Sequence, residues 1–196
     1  MTVTSESDQS TSSSRRSFLS LVGAATLGSL FIPGVPALGA MMNSNINKGT
    51  RRISFRNSHT DETFTGVYRV GNKYLPDAFD TINYILRDYR TDEVFPIDPR
   101  VIDIVYSVHQ MTGQAQPFDI ISGYRCPKTN AMLRETGGGG VAKNSLHMTG
   151  QAVDLRMRGF STTRIRDIAR SLKAGGVGYY AKSDFVHMDT GIIRSW

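Results

Sequence analysis

The chain has 196 residues, of which 39% are hydrophobic and 20% charged, and its formal net charge is +6. Its one cysteine, Cys126, excludes an internal disulfide. The basic balance suits an anionic partner such as an acidic membrane or cell wall, and the leader described next argues against nucleic acid.

A polar start leads through "SRRSFLS" to the apolar run Leu19 to Ile32, then to "PGVPALGA". Positive residues, a modest apolar core and small residues near a cut mark a secretory signal. The run is too short and too rich in Gly, Ser and Thr for a membrane span. Arg15 and Arg16 ahead of Phe18 and Leu19 match the twin-arginine type of export signal. Residues 1–40 are therefore expected to be removed, with the cut after Gly39 or Ala40. That predicts a periplasmic or cell-envelope protein with no stable membrane insertion. The signal carries two arginines and two acids, so the mature charge stays at +6. Residues 41–52 read as a linker and 53–196 as one domain.

Ile53–Arg56 and Thr63–Val70 alternate around "NSHTDE" and predict a β-hairpin, with "GNKY" as a second turn. "PDAFDTINYILRDYR" puts Phe79, Ile82, Leu86 and Tyr89 on one helical face. A second helix opens with Asp98 as cap and Pro99 in its first turn. Val101, Val105, Val108 and Met111 would line its inner side, and Gly113 would stop it. "PFDIISGYR" reads as a buried strand, "PKTNAMLRE" as a short helix and "TGGGGVAKNS" as a loop. The glycine run lacks the spacing of a phosphate cradle. "QAVDLRM" alternates as a strand. "STTRIRDIARSLKAGG" is a helix with a Ser/Thr cap and Gly175 past its end. "GVGYY" and "DFVHMDT" close the chain as strands. The expected class is α+β: a small antiparallel sheet with flanking helices.

Four histidines are present. His59, at a hairpin tip, reads as solvated, and His109, on a helix stripe, as packed and hydrogen-bonded. Cys126 reads as a small buried residue. His147 lies just before Gly150, while Asp154 shares a strand face with Ala152 and Arg156. Phe185, His187 and Asp189 share a face of the last strand. If those strands pair, Asp154 and His187 converge and His147 closes the third corner. Two imidazoles and a carboxylate leave a fourth position open, as in a catalytic zinc site. On spacing alone two readings stay open: metal ligands, or a surface histidine beside a strand aspartate with no metal.

"SGYRCPKTNAML", "VAKNSLHMTGQAVDLRM", "GGVGYY" and "DFVHMDTG" resemble the murein endopeptidase K family of bacterial zinc peptidoglycan hydrolases. That family sits in a wider group with D-alanyl-D-alanine carboxypeptidases and dipeptidases and the hedgehog domain. The resemblance runs from about Ile53 to Trp196. It implies a zinc (Zn2+) peptidase acting on peptidoglycan cross-links, with His147, Asp154 and His187 as zinc ligands. It also implies that Arg125 stabilises the oxyanion, as a fixed and always charged fork can. For the general base it points to Asp184, three residues before His187, with Asp189 as the competitor on the His187 strand face. The loser of that pair would orient a histidine. Ser145 and Gly150 would shape the ligand loop, and Tyr124, Tyr179 and Tyr180 line a groove or fill the core. Carboxypeptidase action on stem peptides, a non-catalytic zinc-bearing wall-binding module and an iron(II) oxygenase are the alternatives.

Overall fold

The computed structural model describes residues 49–136 and 140–196. The signal at 1–40 and the linker up to residue 48 lie outside them, as do three glycines of the loop after "MLRE".

Strands β1 (Thr50–Asn57) and β2 (Thr63–Val70) form the expected hairpin, with Phe55 opposite Phe64. β1 starts at Thr50, so the last residues assigned to the linker are strand. Thr50 and Arg51 pair with Val70 and Arg69, and Arg51 is held to Asp103 at 2.8 Å. Two consecutive arginines hide that pairing from a reading based on apolar alternation. The "GNKY" turn also carries a two-residue strand, β3 (Lys73–Tyr74), on the outer edge of β2.

Helix α1 (Pro76–Ile85) buries Phe79, Ile82 and Ile85 and ends at Leu86. Tyr89, expected on the same face, lies beyond the helix and stacks on His59 at 3.8 Å between ring centroids. Helix α2 (Pro99–Thr112) starts as predicted, with the Asp98 carboxylate accepting from the Arg100 N–H, and ends on Gly113. Val101, Val105 and Val108 are buried, but Met111 is exposed. The stripe continues one position later through Thr112, which is buried, and that turns Met111 to solvent. His109 packs against Phe118 and reaches the Gln116 carbonyl.

Strand β4 (Phe118–Ser122), helix α3 (Pro127–Thr136), a 3₁₀ turn (Leu146–Thr149) and strand β5 (Ala152–Met157) follow. Helix α4 (Thr162–Leu172) is capped by Ser161 and stops at Lys173 in a left-handed conformation, two residues before Gly175. Strands β6 (Gly176–Tyr180), β7 (Phe185–Asp189) and the short β8 (Arg194–Ser195) complete the fold.

The class is α+β, as expected, but the sheet is not small. Among the described residues it has eight strands in the order β3-β2-β1-β4-β5-β7-β6-β8, mostly antiparallel. β1 with β4 and β6 with β8 are parallel. The first parallel pair spans α1 and α2, a crossover that local alternation cannot reveal.

Alternation divides the sheet's two faces between different tasks. Val153, Leu155 and Met157 of β5 and Val186 and Met188 of β7 join one core with Ile82 of α1, Val105 of α2 and Ile165 of α4. Asp154, His187 and Asp189 stand on the opposite face of the same strands.

Candidate metal centre

The register of β5 against β7 sets Asp154 directly opposite His187. His187 Nδ1 lies 2.8 Å from Asp154 Oδ1. His147 arrives from the 3₁₀ turn, its Nε2 at 3.2 Å from both Asp154 Oδ1 and His187 Nδ1. That turn closes on Gly150 at φ 65, where a Cβ would stand 2.1 Å from the Pro96 carbonyl oxygen. Only glycine meets both demands there.

The other nitrogen of each imidazole is already committed. His147 Nδ1 lies 2.7 Å from the Gly123 carbonyl oxygen, which can only accept, so Nδ1 carries the proton and Nε2 presents a lone pair. His187 Nε2 lies 2.9 Å from Asp189 Oδ2, which leaves Nδ1 free toward Asp154. All three side chains are buried. Three donor atoms 2.8–3.2 Å apart approach the ~3.3 Å separating ligands on a tetrahedral zinc with bonds of about 2.0–2.1 Å. Two neutral imidazoles and a carboxylate, with their tautomers set from outside, fit such an ion.

The electrostatics also call for a cation. Burial pushes the His147 pKa down despite the pull of Asp154. Burial opposes charge at His187 too, but hydrogen bonds to Asp154 and Asp189 hold its pKa up at about 9. Burial pushes Asp154 upward, yet the two imidazoles hold it well below the usual carboxylate range. Two buried carboxylates thus flank His187, and without a metal its proton supplies the positive charge between them.

The cluster sits in a cleft of about 770 Å3 whose walls include Arg125, Leu146, Tyr180, Phe185, Arg194 and Trp196. Arg125 Nη2 makes long contacts to Ser122 Oγ at 3.3 Å and Asp154 Oδ2 at 3.4 Å, and its buried Nε has no partner among the described residues. Burial lowers its pKa, against the pull of Asp154.

The two candidate bases are placed differently. Asp189 is filled with donors: His187 Nε2, the Gly176 and Gly191 N–H groups, and the Arg194 guanidinium. Asp184 is exposed, adopts φ 50, and accepts from the Thr162 hydroxyl at 2.8 Å. Neither carboxylate lines the cleft, though Ser183 and Phe185 on either side of Asp184 do. Ser145 lines the cleft beside the ligand turn. Of the three tyrosines, Tyr180 lines the cleft, Tyr124 is buried against Phe95, and Tyr179 packs on the core with its hydroxyl at Thr163. Cys126 is buried. No sequence pattern marks Arg194 and Trp196, because a two-residue strand after a turn has no periodicity.

A family model described as Peptidoglycan L,D-endopeptidase MepK matches residues 45–196. The chain is 38% identical over 182 residues to Peptidoglycan L,D-endopeptidase MepK of Escherichia coli strain K12, covering 93% of this chain and 96% of that protein. It is 37% identical to the Probable peptidoglycan L,D-endopeptidase MepK of Haemophilus influenzae, covering 93% and 95%. A solved structure of Serratia marcescens L-Ala D-Glu endopeptidase ChiX aligns with 39% of this chain and 62% of that one, at 18% identity and a TM-score of 0.31.

Proposed function

This chain belongs to the Peptidoglycan L,D-endopeptidase MepK family, and we propose that it is an exported zinc peptidase that hydrolyses an amide bond in the peptide cross-links of peptidoglycan. The observation that carries this reading is the convergence of His147 Nε2, Asp154 Oδ1 and His187 Nδ1 in one cleft. It occurs in a chain 38% identical, across 93% of its length, to a protein named for that activity. The same name favours an amide joining an L-configured residue to a D-configured one.

Zinc held by His147, Asp154 and His187 would supply a water of pKa about 7 and polarise the scissile carbonyl. Gly123 and Asp189 keep the two imidazoles in the tautomers that make them ligands. Arg125 offers N–H donors to the carbonyl oxygen as negative charge gathers on it. Its contacts are long and its Nε has no partner among the described residues, which leaves that capacity unspent on them. Asp184 takes the proton-carrying role, accepting a proton from the attacking water and passing it to the leaving amine. It is exposed between two cleft-lining residues, and one hydroxyl contact is less to give up than the donor shell around Asp189. Asp189 instead orients His187.

Arg15 and Arg16 in the leader support export by the twin-arginine route to the periplasm or cell envelope, where this substrate is found. The net charge of +6 suits an anionic wall.

The test is digestion of purified sacculi, with the soluble muropeptides resolved by mass. Cross-linked dimers should disappear, chelation should stop the loss, and added zinc should restore it. Release of terminal residues alone would make the protein a carboxypeptidase. Binding to sacculi without release of fragments would make it a wall-binding module.

A further inference from the structure

A single row of residues crosses one face of the sheet. Ser122 of β4 pairs with Asp154 of β5, Asp154 with His187 of β7, and His187 with Gly178 of β6. β8 then adds alongside β6, with Val177 opposite Ser195, which sets Trp196 next to Gly178. The Trp196 backbone continues that ladder, its N–H donating to the Val177 carbonyl and its carbonyl accepting from the Tyr179 N–H. Glycine is the one member of the row without a side chain. A Cβ on Gly178 would stand 2.6 Å from the indole, so its absence is the space the ring occupies.

Through that gap the Trp196 ring reaches the ligand His187, with centroids 5.3 Å apart. Its Nε1 donates to the Tyr180 hydroxyl at 3.1 Å, and the Arg194 guanidinium lies over the ring at 5.0 Å. Arg194 is in turn anchored by Asp189 at 2.7 Å. The indole is thus fixed at several points, yet it stays 47% exposed and lines the cleft beside His187. Tyr180 and Phe185, stacked at 4.5 Å, continue the aromatic surface. A large apolar ring held rigidly and left half in water has area to lose to a ligand at little cost in side-chain freedom.

We propose that Trp196, seated over Gly178, is a substrate-positioning residue that receives the aliphatic part of the peptide next to the scissile amide. The inference rests on the peptidase reading above. The cation over the ring and the fixed Nε1 make one face of the indole a permanent part of the wall. The exposed part is what the peptide covers.

Trp196 is the sequence's single tryptophan, so its fluorescence reports on this wall alone. The experiment pairs two measurements on the full chain, using a soluble peptide that contains an L-to-D amide beside an aliphatic residue. Kinetics and zinc content are compared for wild type, Trp196→Phe, Trp196→Ala and Gly178→Ala. Fluorescence of the chelated wild type is titrated with the same peptide. Trp196→Ala should raise KM by about tenfold or more with kcat nearly unchanged and zinc retained. Trp196→Phe should fall between, Gly178→Ala should follow Trp196→Ala, and the fluorescence should change saturably. Unchanged KM in Trp196→Ala overturns the proposal, as does loss of zinc from Trp196→Ala and Trp196→Phe alike, which would make the ring a brace for His187. Turnover by wild type with no fluorescence change sinks the indole's role and leaves the peptidase reading standing. Saturable quenching with no turnover supports the contact and sinks the peptidase reading.

Discussion

Asp154 Oδ1 and His187 Nδ1 meet at 2.8 Å because β5 and β7 pair with those two residues directly opposite. The contact therefore depends on strand register, and a one-residue slip of either strand would turn its own side chain, Asp154 or His187, onto the core face. The core face of the same strands is fully apolar, with Val153, Leu155, Val186 and Met188 between 0% and 1% exposed. The packing that folds the domain thus holds Asp154 and His187 in place from behind.

Replacing a ligand should accordingly cost the metal and spare the fold. His147→Ala removes one donor from the cluster and leaves the Gly123 carbonyl without its imidazole partner. Metal affinity should fall by more than the roughly 10–100-fold typical of losing an outer hydrogen-bond partner. Cross-link cleavage should vanish. Metal analysis after gel filtration and far-UV circular dichroism check both halves. A variant that keeps stoichiometric zinc and activity would remove His147 from the ligand set.

Asp189→Asn tests the positioning role proposed for Asp189. Its Oδ2 accepts from His187 Nε2 at 2.9 Å and from Arg194 at 2.7 Å. The amide keeps the shape and loses the charge that fixes the imidazole tautomer. Zinc affinity, measured by chelator competition, should drop roughly 10–100-fold, and activity at saturating zinc should largely return. Activity that stays lost at saturating zinc would give Asp189 the base role after all.

Strand alternation places Asp154 and His187 on faces that meet only on the condition that their strands pair, and the structure supplies that pairing. The tautomer of His147 is not legible in sequence, since it is set by a backbone carbonyl 24 residues earlier at Gly123. Asp184 and Asp189 looked alike as acids near a histidine. They differ because the left-handed backbone at Asp184 turns its carboxylate to Thr162, while two glycine N–H groups and Arg194 close around Asp189. The parallel pairings of β1 with β4 and β6 with β8 escaped for a related reason. Each joins segments whose partners are chosen by tertiary packing and leave no local pattern.

The His187 shift gives a pH dependence whose sign reverses with metal. In zinc-stripped protein the folded-state pKa, about 9, lies above the ~6.5 of an unfolded histidine. Its stabilising contribution is full below about 6.5 and is lost as pH rises through about 9. Tm of the stripped protein should decline across that window. Zinc must displace the same proton, so its affinity should climb by up to about tenfold per pH unit until pH 9. Thermal melts and zinc titrations in matched buffers check the two trends. Zinc affinity that is flat between pH 6.5 and 9 would contradict the placement of His187 between two carboxylates.

Arg125→Lys and Asp184→Asn should both lower kcat with zinc content unchanged, and the leaving group separates them. A lysine cannot restore the planar fork, so loss of oxyanion donors should cost about 10²–10³ in kcat on every substrate. Loss of the proton carrier should cost about 10²–10⁴ on a peptide, whose amine must be protonated to depart. A substrate with a good leaving group needs no such proton. Asp184→Asn should therefore recover part of its lost activity on an activated ester or anilide, while Arg125→Lys recovers little. Equal rescue of the two variants, or full peptide activity in Asp184→Asn, would show that its carboxylate stays on Thr162 throughout and that the proton travels by another group.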